Sequence, residues 1–135
     1  MKENTDIKLQ QQGDITIMNI RGDITSYSES IFKAAYQQAL DQDARKIILK
    51  IEKFAYINSG GIALIIQTLY KIKENKQFAA IAGVSPHFKK IFKMVGITKF
   101  AGIFDTVAEA IEEMEGWIYW DCWVHRLKSI KSFNN

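Results

Sequence analysis

The sequence predicts one α/β domain, a mixed β-sheet of four to five strands with about four helices in the order ββαβαβαβα, followed by an aromatic C-terminal tail. Three observations carry this prediction. The chain opens with two β-type segments around a Gly-Asp turn, the signature of an antiparallel hairpin. Later strand candidates are short apolar runs typical of strands covered on both faces. They alternate with stretches whose apolar residues recur at helical spacing, which implies parallel neighbours joined by helical crossovers.

Ile7 and Leu9 alternate with Lys8 and Gln10, Gly13-Asp14 makes the turn, and Ile15 to Arg21 is the second strand. After Gly22, Ser26 and Glu29 stand at capping-box spacing, and Ile31, Phe32, Ala35, Tyr36, Ala39 and Leu40 form the stripe of the first helix. Lys46-Ile47-Ile48-Leu49-Lys50-Ile51 is the central strand. The segment Glu52 to Ile57 then leads to Asn58-Ser59-Gly60-Gly61, a glycine-rich turn that opens a second helix marked by Ile62, Ile65, Ile66, Leu69 and Ile72. Phe78 to Ala82 is another buried strand. Ser85-Pro86 starts a third helix with an N-cap hydroxyl and a proline at its first position, Phe88, Ile91, Phe92 and Val95 form its stripe, and Gly96 ends it. Ile103-Phe104 adds a short edge strand, and Asp105 caps a last helix with Val107, Ala110, Ile111 and Met114 on its inner face. The domain therefore spans residues 1–116, and residues 117–135 form the tail.

Composition narrows the function. A chain of 135 residues with 47% hydrophobic and 24% charged residues has enough apolar surface for one core. Its apolar runs fall far short of the roughly 20 residues a membrane-spanning helix needs, and the polar start is unlike a signal peptide, so a cytoplasmic location is expected. The single cysteine, Cys122, forms no internal disulfide, and no Cys/His spacing suggests a metal site. Of the net charge of +3, the tail holds most, leaving about +1 for the domain, whose mixed signs argue against a nucleic-acid partner.

At Asn58-Ser59-Gly60-Gly61 two readings coexist. Glycines tolerate a tight strand-to-helix turn while Asn58 or Ser59 caps the helix. The same exposed amides and the positive helix end also suit an anion or a phosphorylated hydroxyl. Catalytic constellations are missing: His87 and His125 have no evident carboxylate partner, Ser59 lacks the leading glycine of a nucleophile elbow, no Gly-Lys-Ser/Thr phosphate loop occurs, and Glu112-Glu113 lie on the outer side of their helix. No enzyme activity and no cofactor are expected.

The stretch Leu49 to Leu64, an apolar strand followed by Asn58-Ser59-Gly60-Gly61 and a helix, resembles the centre of STAS domains of the bacterial anti-sigma-factor antagonists, where the motif reads Asp-Ser-Ser-Gly-Leu-Gly. Arg21-Gly22-Asp23-Ile24-Thr25 resembles the family's Gly-Glu-Leu-Asp element, and Ala82-Gly83-Val84-Ser85-Pro86, Val95 to Phe100 and Ile103 to Thr106 resemble its later half. The resemblance covers about residues 5 to 115 and agrees with the ββαβαβαβα order. It implies partner switching: the unphosphorylated antagonist binds a serine-kinase-type anti-sigma factor and frees a sigma factor, and phosphorylation of a serine at the helix start abolishes binding.

The chain departs from that pattern where the switch sits. In ungapped register Asn58 takes the Asp position, Ser59 the first Ser, and Gly60 the second Ser, the family's usual acceptor. Shifting the register to bring Ser59 onto the acceptor position puts Ile57 in place of the Asp and moves the apolar residues out of step. The expected docking surface is Thr25, Ser26, Asn58, Ser59, Gly60 and Gly61 with the exposed face of the second helix, lacking the usual covalent switch, with Ser59 the remaining hydroxyl on the motif for phosphorylation. Gly60→Asp is expected to mimic a phosphate there and weaken binding.

An alternative is a STAS subunit of a membrane-associated lipid transport complex. The tail holds all three tryptophans, Trp117, Trp120 and Trp123, followed by Arg126, Lys128 and Lys131, and such a segment suits a membrane surface or a transporter subunit. The simpler reading of the tail is that it folds back on the domain or buries itself in a homodimer.

Overall fold

A computed structural model describes residues 5–117. Strands β1 (Asp6–Gln12) and β2 (Ile15–Arg21) pair antiparallel with Gln12 opposite Ile15, so Gly13-Asp14 is a two-residue turn, with Gly13 at φ 62°. A 3₁₀ turn, Ser26–Ser28, runs into α1 (Glu29–Asp41). There follow β3 (Lys46–Ile51), α2 (Ser59–Glu74), β4 (Phe78–Ala82), α3 (Pro86–Met94), a second 3₁₀ turn (Ile97–Lys99), β5 (Gly102–Phe104) and α4 (Val107–Met114). The sheet order is β1-β2-β3-β4-β5, with β2 to β5 mutually parallel. The predicted ββαβαβαβα order and mixed sheet are therefore the observed ones.

Side chains alternate across the sheet and feed two cores. On one face Met18, Ile20, Ile47, Leu49, Ile51, Ala79 and Ile81 pack with Phe32 and Tyr36 of α1, Ile65, Leu69 and Ile72 of α2, and Phe92 of α3. On the other, Ile15, Ile17, Ile48, Phe78, Ala80 and Ala82 meet Ala110 and Met114 of α4. Because helices cover both faces, β4 is buried at every position and β3 at all but Lys50, which is why both read as apolar runs. Trp117, grouped with the tail by the sequence reading, belongs to the second core: it is 2% exposed, with its ring centroid 6.0 Å from that of Phe78. The remainder of the predicted tail, with Trp120, Cys122, Trp123 and His125, lies outside the described residues.

The helix starts differ from expectation in two places. The capping box belongs to Thr25 and Ser28, one residue before the predicted pair: Thr25 Oγ1 accepts from the Tyr27 amide at 3.1 Å, and Ser28 Oγ accepts from the Thr25 amide at 3.1 Å. The 3₁₀ turn ahead of α1 takes up the offset. At α4 the cap is Thr106, whose Oγ1 accepts from the Glu109 amide at 3.1 Å, while Asp105 accepts a hydrogen bond from Lys89 of α3. Ser85 caps α3 as predicted, and Gly96, at φ 87°, follows its end. Buried Tyr36 ties α1 to the end of α2: its hydroxyl donates to Gln77 Oε1 at 2.6 Å and accepts from Asn75 Nδ2 at 2.7 Å, and Gln77 Nε2 donates to the Ala44 carbonyl.

Candidate docking site

Strands β2 and β3 are parallel neighbours, so their carboxyl ends lie side by side and send out two connections, residues 22–28 and 52–58. Crevices outside the carboxyl ends of parallel strands are the usual binding places of open α/β sheets. Here the loops are laced together. The Ile24 amide donates to the Tyr56 carbonyl at 2.9 Å and the Asn58 amide to the Ile24 carbonyl at 3.3 Å, forming a parallel bridge between Ile24 and Ile57. Asp23 Oδ1 accepts from the Tyr56 amide at 3.2 Å, and Glu52 Oε1 accepts from the Gly22 amide at 2.9 Å. Buried Ile24 and Ile57 anchor the pair from beneath.

Asn58 supplies the cap of α2, its Oδ1 accepting from the Gly61 amide at 2.8 Å. Behind that cap α2 presses on the first loop. A Cβ on Gly61 would lie 2.1 Å from the Ile24 carbonyl oxygen, and one on Gly60 would lie 2.9 Å from Ser26 Cβ and 3.0 Å from Ser26 N. Both glycines are therefore imposed by close backbone approach. A Gly60→Asp variant, expected to weaken binding through its charge, would also disturb this contact, because its Cβ has no room unless the Ser26 loop moves.

The predicted residues Thr25, Ser26, Asn58, Ser59, Gly60 and Gly61 are brought together at this contact, with different tasks. Thr25 is engaged as a cap, and Gly61 is buried. Buried Ser28, which was not predicted, bonds Thr25 and Thr5, and Thr5 Oγ1 donates to the Asp23 carbonyl at 2.6 Å. Ser26 and Ser59 are exposed, and no hydrogen bond from either hydroxyl is found among the described residues. Sequence reasoning passed over the apolar part of this surface. Phe54 is 92% exposed, Tyr27 68% and Tyr56 59%, all on the two laced loops. The detectable signal was alternation: in Phe54-Ala55-Tyr56-Ile57 the aromatic residues face out, while Ala55 and Ile57 are buried.

Chemically, this arrangement presents rings, hydroxyls and backbone amides. The Arg21–Glu52 pair at its edge, 3.9 Å apart and exposed, contributes little. His87 lies exposed on α3 against the ring of Phe88. Among the described residues no three His, Cys, Asp or Glu side chains gather into a metal-binding group, and no helix is long and apolar enough to cross a membrane.

A β1-antiparallel, otherwise parallel five-stranded sheet with helices on both faces and a glycine-tight loop–helix contact at the carboxyl ends of β2 and β3 defines a class of small α/β modules. The chain belongs to the STAS family: the family model described as STAS domain matches residues 6–110. A curated relative, the anti-sigma F factor antagonist of Paenibacillus polymyxa, is 20% identical over 113 residues, covering 83% of this chain and 97% of the relative. The crystal structure of an anti-sigma factor antagonist from Mycobacterium paratuberculosis superposes with a TM-score of 0.69 at 10% identity, over 84% of this chain and 97% of that one. The Bacillus anti-sigma factor antagonist SpoIIAA, solved in unphosphorylated and phosphorylated forms, gives TM-scores of 0.61 and 0.59 at 18% identity, each over 82% of this chain and over 99% and 100% of its own. At these identities the structural likeness speaks to the fold alone.

Proposed function

We propose that this chain is an anti-sigma-factor antagonist: it docks an anti-sigma factor of the serine-kinase class through the laced loops at the carboxyl ends of β2 and β3, frees a sigma factor by partner switching, and turns over no substrate of its own. The observation that carries this reading is the exposed aromatic group. Phe54, Tyr27 and Tyr56 stand in water on loops that hydrogen bonds and buried isoleucines hold in place. Rings exposed on an ordered support offer contact area at low entropic cost, and aromatic residues are enriched among the anchors of protein interfaces. Asn58, Ser59 and the outward face of α2 extend the surface.

Burying a phenylalanine side chain contributes about 1.5–3 kcal/mol, or roughly 10- to 100-fold in affinity. The test is calorimetric titration of the full chain with kinase-class anti-sigma factors from the same genome. The expected result is a saturable complex that Phe54→Ala weakens at least tenfold while the fold's thermal midpoint is preserved. Absence of binding to any of them, or unchanged affinity in Phe54→Ala and Tyr56→Ala, would overturn the reading. Control by a phosphate, the state in which one structural neighbour has been solved, fits the same surface. A phosphoserine adds a charge of about −1.5 to −2 at neutral pH, which opposes burial of the surrounding rings.

A further inference from the structure

Gly60 has no hydroxyl and no space for one, yet a hydroxyl stands beside it. We propose that Ser26 is the phosphate acceptor that governs this surface, so that the covalent switch is carried by the loop after β2 instead of by α2; the regulatory part of this inference rests on the docking reading above. Three observations lead to Ser26. Its Cβ lies 2.9 Å from where a Cβ on Gly60 would be, so it packs against the first turn of α2. It is exposed, and among the described residues its hydroxyl bonds to nothing, whereas neighbouring Thr25 and Ser28 use theirs within the capping box and Ser28 is buried. The amides of Ser59 and Gly60, the latter on the residue that Ser26 Cβ faces, have no partner among the described residues, because Asn58 takes only that of Gly61.

Ser59 fits this role less well. Successive helical residues project about 100° apart, so its side chain points away from the contact that Gly60 makes with Ser26. A phosphate on Ser26 would also be next in sequence to Tyr27, one of the exposed rings, and would bring its charge into the surface to be buried. In the transfer, Ser26 Oγ bonds to the γ-phosphorus of a nucleoside triphosphate held by the kinase. The bond from that phosphorus to the bridging oxygen breaks, nucleoside diphosphate leaves, and the hydroxyl proton passes to a base of the kinase.

The test has two arms. In the first, the full chain and its Ser26→Ala and Ser59→Ala variants are isolated from the native cells in growth and in stationary phase, and phosphorylated positions are mapped by tandem mass spectrometry. In the second, unmodified chain, Ser26→Ala and Ser26→Glu are titrated with the anti-sigma factor; Ala retains the Cβ that touches Gly60, so its fold is preserved. Expected are a phosphate on Ser26 that persists in Ser59→Ala and is lost in Ser26→Ala, and a loss of affinity of tenfold or more for Ser26→Glu alone. A phosphate only on Ser59 or elsewhere, or none in either growth state, overturns the assignment even where the unmodified chain binds. A phosphate on Ser26 in a chain that binds no anti-sigma factor supports the acceptor and refutes the docking reading.

Discussion

The contact between Gly60 and Ser26 makes a sharp stability prediction. At an unobstructed helical position Gly→Ala stabilises by roughly 0.5–1 kcal/mol, because alanine has less backbone freedom to lose. At position 60 the new Cβ would lie 2.9 Å from Ser26 Cβ, 3.0 Å from Ser26 N and 3.3 Å from Ser26 Cα. Overpacking of that kind costs about 1–3 kcal/mol, so Gly60→Ala is expected to destabilise by about 1 kcal/mol net. Removing the opposing Cβ with Ser26→Gly relieves the shortest contact and leaves the backbone ones, so the double mutant should recover only part of the loss. That corresponds to a coupling of roughly 0.5–1 kcal/mol, above the 0.3–0.5 kcal/mol or so within which independent sites add. Ser26→Ala, which keeps the Cβ, should show no relief. The assay is urea unfolding of the four members of the cycle and the alanine control, followed by far-UV circular dichroism. A Gly60→Ala chain more stable than the parent, or a coupling near zero, would refute the close approach of Ser26 to the first turn of α2.

Other consequences can be measured on the same material. Gly61→Ala places a Cβ 2.1 Å from the Ile24 carbonyl oxygen, which accepts from the Asn58 amide, so it should cost about 3 kcal/mol or more in urea unfolding and be several times worse than Gly60→Ala. Burial, with a smaller contribution from Glu74 and against the opposing hydrogen bond from Asn75, raises the Tyr36 hydroxyl above its ordinary value of 10.0. The unfolded chain then loses this proton first, so the stability Tyr36 contributes is complete below about pH 10 and falls as pH rises through the folded-state value. Tyr36→Phe should cost about 1–3 kcal/mol at neutral pH by leaving the buried Gln77 Oε1 without its donor, and its urea midpoint should fall less steeply than the parent's between neutral pH and pH 11. Parallel pH profiles of the two chains would contradict this.

The topology was legible because β-branched runs, helical stripes and turn residues agreed with one another along the chain. Ile47 to Leu49 and Phe78 to Ala82 announced strands covered on both sides, and Ser85-Pro86 announced a helix start, all from neighbouring residues. The capping box was misplaced by one position because a 3₁₀ turn intervenes at Ser26–Ser28, and Ser26 is in isolation the better cap of the pair Thr25 and Ser26. Trp117 read as tail because its partner, Phe78, lies across the sheet, a pairing only tertiary packing creates. The candidate site was half visible. Asn58 as a cap follows from local chemistry, whereas the reason for glycine at 60 and 61 is the approach of a loop more than thirty residues earlier, which no local pattern encodes. Phe54 and Tyr56 were hidden because an aromatic residue between strand and helix reads as core until its exposure is known.

The most direct test of the docking account is hydrogen–deuterium exchange of the full chain with and without the anti-sigma factor. In the free chain the amides of Ile24, Tyr27, Asn58 and Gly61 are hydrogen-bonded, while those of Ser59 and Gly60 have no partner among the described residues and should exchange fast. Complex formation is expected to slow exchange in peptides covering residues 24–28 and 54–61, with the gain greatest at Ser59 and Gly60. Protection confined to β1 or to α3, with these two loops unchanged, would contradict it.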